Sequence, residues 1–125
     1  VVNDILLYGG AGIIAFWGLS HAAAIRGVLA GFGAISDDNW KIITMEWLAE
    51  GLTLCFIGVL VILTRVYGAG AGRLASVVYY ACAGMLLVLA ALSALTGART
   101  KIIPMRMCPF IKTGVAAMLI FGNLL

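Results

Sequence analysis

Charged residues divide the 125-residue chain into four apolar blocks. Ile5 to Ile25 is 21 residues without a formal charge, and Leu74 to Ala98 is 25. Ile42 to Thr64 is 23 residues interrupted only by Glu46 and Glu50. Pro109 to Leu125 is 17 residues with Lys112 as its one charge. A membrane-spanning helix needs about 20 mainly apolar residues, with a range of roughly 17–25. The pattern therefore predicts an all-α, polytopic membrane protein: one domain over 1–125, built as a four-transmembrane-helix bundle with helices near 5–26, 42–65, 74–98 and 109–125. A transmembrane β-barrel needs alternating segments of about 10 residues, which this chain lacks.

Punctuation supports these boundaries. Asp37-Asp38-Asn39 offers caps before the second helix. Gly68, Gly70 and Gly72 mark a short turn between the second and third. Pro109 suits the first turn of the fourth, where its missing N–H costs nothing. The stretch Ile102 to Met107 contains Pro104 and Arg106 and reads as interfacial. Trp40, Trp47, Tyr67, Tyr79 and Tyr80 fall near predicted helix ends, as headgroup anchors do. The first helix lacks a basic leader and a small-residue cleavage site, so it reads as a resident span rather than a signal peptide.

Composition sharpens the class. Hydrophobic residues make up 64% and charged residues 10%, with a mean hydropathy of +1.15. These values exclude a disordered chain, a disulfide-stapled domain and an ordinary soluble fold. Lys and Arg are unevenly spread. Arg26, Lys41, Arg99, Lys101, Arg106 and Lys112 belong to one side of the predicted topology, Arg65 and Arg73 to the other. The positive-inside rule puts the richer side in the cytoplasm and both termini outside, in an arrangement expected of a bacterial inner membrane. The net charge of +3 fits contact with anionic lipid headgroups. Nucleic-acid binding would need a dense basic patch with interleaved aromatics, and the chain has none.

Sequence motifs for chemistry are few. Gly10-Ala11-Gly12-Ile13-Ile14-Ala15 matches a dinucleotide fingerprint, but no strand precedes it and it lies inside an apolar span. Small residues there have another use: Ala11, Ala15, Gly18 and Ala22 allow close helix approach, as do Ala83, Ala90, Ala91 and Ala94 in the third helix. Cys55, Cys82 and Cys108 stand at different depths, Cys108 in the cytoplasmic loop, and form no paired-thiol motif. One His and three scattered Cys make no zinc cluster, so no metal site is predicted.

Ionisable residues inside the spans carry more information, because each is costly in hydrocarbon and needs a partner. Glu46 and Glu50 are i,i+4 and share a helix face, which Thr53 extends. His21 lies about one turn from the end of the first helix, Ser93 and Thr96 near the end of the third, and Lys112 about one turn into the fourth. All fall in the cytoplasmic half. The outer half offers little beyond Ser76 and the tyrosines. His21, Glu46, Glu50, Ser93, Thr96 and Lys112 are thus the candidate binding cluster, sealed from the outside by apolar packing. No catalytic residue or specific cofactor is predicted, although His21 is a residue type able to ligate a haem or pigment. In particular, Glu50 is expected to meet at least one of His21, Ser93, Thr96 and Lys112.

Gly18-Leu19-Ser20-His21 in the first helix, and Glu46-Trp47-Leu48-Ala49-Glu50-Gly51-Leu52 opening the second, resemble the DoxX-like membrane proteins. The resemblance implies a four-helix membrane fold and, for some members, a place in quinone-linked oxidoreductase assemblies. Three functions follow as expectations. The first is a non-enzymatic accessory or structural subunit that binds other membrane subunits, or a second copy, through its small-residue faces. The second is a small proton-coupled transporter acting as a dimer. The third is a quinone- or pigment-binding unit of a membrane oxidoreductase, with His21 and Glu50 carrying protons.

Overall fold

A computed structural model describes residues 1–68 and 72–125. Its helices are α1 (Val2–Ala23), α2 (Ile25–Gly31), α3 (Asp37–Tyr67), α4 (Arg73–Leu95) and α5 (Ile103–Leu124), with a single 3₁₀ turn at Gly97–Arg99. No strand occurs among the described residues. Four of the helices, α1, α3, α4 and α5, are long and apolar enough to cross a membrane. The fold is the all-α four-helix bundle expected from the sequence.

Small residues decide how the helices pair. α1 lies along α3, α5 along α4, and α1 and α5 join the two pairs, while α3 and α4 touch little. On the α1–α3 seam the backbones nearly meet. A Cβ added at Gly18 would stand 2.6 Å from the Gly51 carbonyl oxygen, and one at Gly51 would stand 2.8 Å from that of Gly18. At Gly58 it would stand 2.6 Å from the Ala11 oxygen. Ala15 and Ala22 border the same contacts. In lipid, where apolar burial drives little association, such close approach is a main source of packing energy. The small-residue face of α1 is thus consumed inside the chain, and it is not a surface left over for a partner. In the third span, Ala83 and Ala90 are likewise buried, whereas Ala91 and Ala94 face outward.

Several boundaries differ from the sequence expectation. α3 begins at Asp37 because Ser36 caps it, its Oγ accepting from the Asn39 N–H at 3.1 Å. Asp37, Asp38 and Asn39 therefore occupy the first turn rather than the cap. At 31 residues α3 is about 46 Å long, well beyond a hydrocarbon core of about 30 Å. α5 starts at Ile103, so Ile103 to Met107 opens that helix rather than forming a segment ahead of it. Pro104 takes the first-turn position assigned above to Pro109, and Pro109 lies inside the helix. A proline there deprives the Met105 carbonyl of its usual i+4 donor. With 22 residues α5 reaches about 33 Å, enough to span. The segment after α1 forms the short α2, which the sequence pattern did not reveal. Gly70 of the glycine turn lies outside the described residues.

The core between the two ends is apolar, formed by Ile14, Leu54, Ile57, Leu86, Val115 and Leu119. Tyr79 is 2% exposed and belongs to this core rather than to an interfacial belt. The end of the bundle holding both termini is also more polar than expected. Arg65 Nε donates to Asp4 Oδ1 at 2.7 Å, linking α3 to α1. Ser76 Oγ donates to Asn123 Oδ1 at 3.0 Å, linking α4 to α5.

Candidate functional site

Each of the four spans contributes one residue to a single polar cluster. α5 supplies Lys112, α3 Glu50, α4 Ser93 and α1 His21. Lys112 is wholly buried, and its ammonium donates to Glu50 Oε1 and, at 2.8 Å, to Ser93 Oγ. The second carboxylate oxygen, Oε2, lies 3.4 Å from His21 Nε2. That distance brings the two groups together, but Nε2 has no aligned hydrogen-bond partner among the described residues. Glu50 thus divides its two oxygens between a fixed cation and an imidazole.

Local structure explains why these side chains meet. α1 stops two residues after His21, and α4 stops two residues after Ser93. α3 and α5 run on past this level. Glu50 is 13 residues from the start of α3 and Lys112 nine from the start of α5, about 20 and 14 Å. Glu50 therefore lies much deeper in its helix than a start at residue 42 implied. Side chains on a helix lean toward its N-terminus, which carries Lys112 back toward the ends of α1 and α4.

Trp47 holds His21 in place. The two rings stack with centroids 4.0 Å apart and planes 11° from parallel. The Trp47 Nε1–H also donates to the His21 main-chain carbonyl at 2.6 Å. Trp47 is one turn before Glu50 on α3, so one helix both fixes the imidazole and supplies its carboxylate. One turn before His21 on the same face of α1, Trp17 Nε1 donates to Cys108 Sγ at 3.4 Å. Cys108 is not in a loop: it is buried in α5. Neither tryptophan role was visible in the sequence, though Trp47 stands in the quoted Glu-Trp-x-x-Glu run. The signal available was its i,i+3 spacing to Glu50.

Not all the predicted residues join. Glu46 is exposed and Thr53 points outward, its hydroxyl bonding back to the Ala49 carbonyl. Their shared face with Glu50 is therefore only partial, since Glu50 turns inward. Thr96 lines a cavity beside the cluster but spends its hydroxyl on the Leu92 carbonyl at 2.7 Å.

Two cavities flank His21. One, of about 300 Å³, lies between α1 and the first turns of α5 and is walled by Trp17, Ser20, His21, Trp47, Met107 and Cys108 among others. Its volume is at the lower end for a small-molecule pocket, and its walls are mainly aromatic and apolar. The other, of about 80 Å³, is lined by His21, Glu50, Ser93, Thr96 and Gly97 among others. His21 is thus the polar wall of an apolar cavity and the inner wall of a polar one. Among the described residues no three His, Cys, Asp or Glu side chains group as a metal would require.

Comparison with known proteins finds no family model, no curated protein and no solved structure that matches the chain.

Proposed function

We propose that this chain is a small membrane-embedded binding unit for a ring compound of the quinone class, serving within a larger redox assembly of the kind the DoxX-like resemblance implies. The observation that carries the reading is the position of His21. Its imidazole closes an apolar, tryptophan-walled cavity and is backed by the ion pair of Glu50 with the buried Lys112. A flat, lipid-soluble ring fits such walls by stacking, and a carbonyl or hydroxyl on it would find the one titratable nitrogen there.

Intramembrane ionisable clusters generally mark substrate or proton pathways. The apolar core beyond this one, from Ile14 to Leu119, favours a site served from one end over a pore or an alternating-access path. A partner subunit would sit on the outward faces of the bundle, because the α1 small-residue face is already occupied. Arg26, Lys41, Arg99, Lys101 and Arg106 gather at the end carrying α2, against Arg65 and Arg73 at the other. With Lys112 withdrawn into the bundle the bias is five to two, which supports the α2 end in the cytoplasm and a bacterial inner membrane.

Gentle purification in mild detergent followed by solvent extraction tests this reading. A retained quinone, in a near-stoichiometric amount, is the expected result. Ser20→Phe fills the cavity from α1 without touching the ion pair and should lower quinone retention about tenfold. Undiminished retention in Ser20→Phe would place the ligand elsewhere.

A further inference from the structure

The smaller, polar cavity has a use that follows from what surrounds it. We propose that it is the route by which protons reach a ring bound in the apolar cavity, and that it opens only at the α2 end. The inference rests on the quinone-class reading above.

Within the apolar cavity the titratable groups are the His21 imidazole and the Cys108 thiol, which accepts from Trp17. Both also border the polar cavity, but His21 alone of these two faces a carboxylate oxygen, while the Cys108 sulfur is engaged by Trp17. A proton arriving from water at the α2 end therefore passes through His21, and the group behind His21 is Glu50. Of the ionisable cluster members, Glu50 alone is open: its side chain is 32% exposed, against 5% for His21 and 0% for Lys112. The polar cavity beside it ends at Thr96 and Gly97, where α4 stops. Its 80 Å³ accommodates two to three waters at roughly 30 Å³ each. Toward the opposite end Ile14, Leu54 and Leu86 close the bundle.

The transfers balance without electrons. A hydrated proton in the cavity adds to the Glu50 carboxylate, Glu50 Oε2 passes it to His21 Nε2, and the imidazolium gives up the proton on its other ring nitrogen to the enolate oxygen of a hydroxyquinone ring. Lys112 takes no part in the transfer: its bonds to Oε1 and Ser93 leave Oε2 as the oxygen that serves His21. Lys112, Glu50, His21 and Cys108 are the titratable groups at this point, and α4 contributes only the hydroxyls of Ser93 and Thr96.

A 3-alkyl-2-hydroxy-1,4-naphthoquinone is a suitable probe, because its enolate absorbs at longer wavelength and more strongly in the visible than its neutral form. The probe is bound to the purified protein as the enolate, and the pH is dropped in a stopped-flow mixer. Gly97→Leu is the informative variant. A Cβ there already presses on the flexible Met105 methyl at 2.6 Å, so the added bulk narrows the polar cavity and leaves the ion pair alone. Met105 also walls the apolar cavity, so the two proteins are compared at saturating probe. Protonation of the bound probe slowed about tenfold is the expected result. Equal rates at saturation in Gly97→Leu and the parent protein overturn the route while leaving ring binding intact. If the parent protein does not bind the probe, the quinone-class reading itself fails. The aqueous path is then decided by Ser93→Cys, on a background with the three native cysteines replaced by Ala. Modification by a charged thiol reagent from the α2 side alone supports the path, and no modification, or modification from both sides, overturns it.

Discussion

Lys112 and Glu50, on helices that are not neighbours in sequence, form an ion pair inside the bundle with the lysine fully buried. Removing one partner leaves an uncompensated charge, which costs about 3–5 kcal/mol in buried pairs. Glu50→Leu, which strands the wholly buried Lys112 ammonium, should therefore lower unfolding stability in detergent by about that amount, and Lys112→Met, which strands the partly exposed Glu50, by less. The double variant Lys112→Met with Glu50→Leu should recover most of the loss, since a buried pair replaced by apolar residues is often neutral. Equal losses in the single and double variants would mean that the pair does not couple the two helices.

The glycine seam makes a separate prediction. Gly58→Leu forces a side chain onto the Ala11 backbone, whereas a Cβ at Gly12 or Gly84 meets nothing within 4 Å. Overpacking costs typically about 1–3 kcal/mol, and more where backbone is the obstacle. Gly58→Leu should therefore reduce the thermal stability and yield of folded protein, with Gly12→Leu and Gly84→Leu close to the parent. Unfolding monitored by circular dichroism in the same detergent distinguishes them.

For Trp47, stacking and hydrogen bonding separate. Trp47→Phe keeps a ring over His21 but loses the donor to its carbonyl, and Trp47→Leu loses both. Quinone affinity should fall in the order parent, Phe, Leu, with the Leu variant down about tenfold. The measurement is equilibrium binding, and an unchanged Leu variant would remove Trp47 from the site.

Orientation is best tested with introduced cysteines, because native Cys108 is 4% exposed and a poor reporter. In a cysteine-free background, Lys101→Cys should be labelled only from inside the cell and Arg73→Cys only from outside. The reverse pattern overturns the assignment from basic residues.

The four spans were legible because charges are expensive in lipid, so gaps between charges reveal helices directly. The joining of His21, Glu50, Ser93 and Lys112 was legible for the same reason: each needs a partner, and all lie near one end. Glu46 was misjudged because i,i+4 spacing places two residues on a shared face without saying how far that face turns inward. The start of α5 was missed because Pro104 and Pro109 are both acceptable to a helix at different positions, and only tertiary packing chooses between them. Cys108, assigned to a loop on that account, became a buried wall of the cavity. The Asp4–Arg65 link between helix ends was out of reach, since pairing 61 residues apart depends on how α1 and α3 align. Tyr79 shows the same limit, as an interfacial residue type drawn into the core by close packing.

Tryptophan fluorescence gives the most direct test of the central claim, that a quinone-class ring binds against His21 between α1 and α5. Trp40 lies outside the cavity, so Trp40→Phe leaves Trp17 and Trp47 as the two reporters. Titration with a short-chain quinone in detergent should quench their emission saturably, and His21→Ala should weaken that binding about tenfold. Quenching that rises linearly without saturation, or that is identical in His21→Ala, would contradict it.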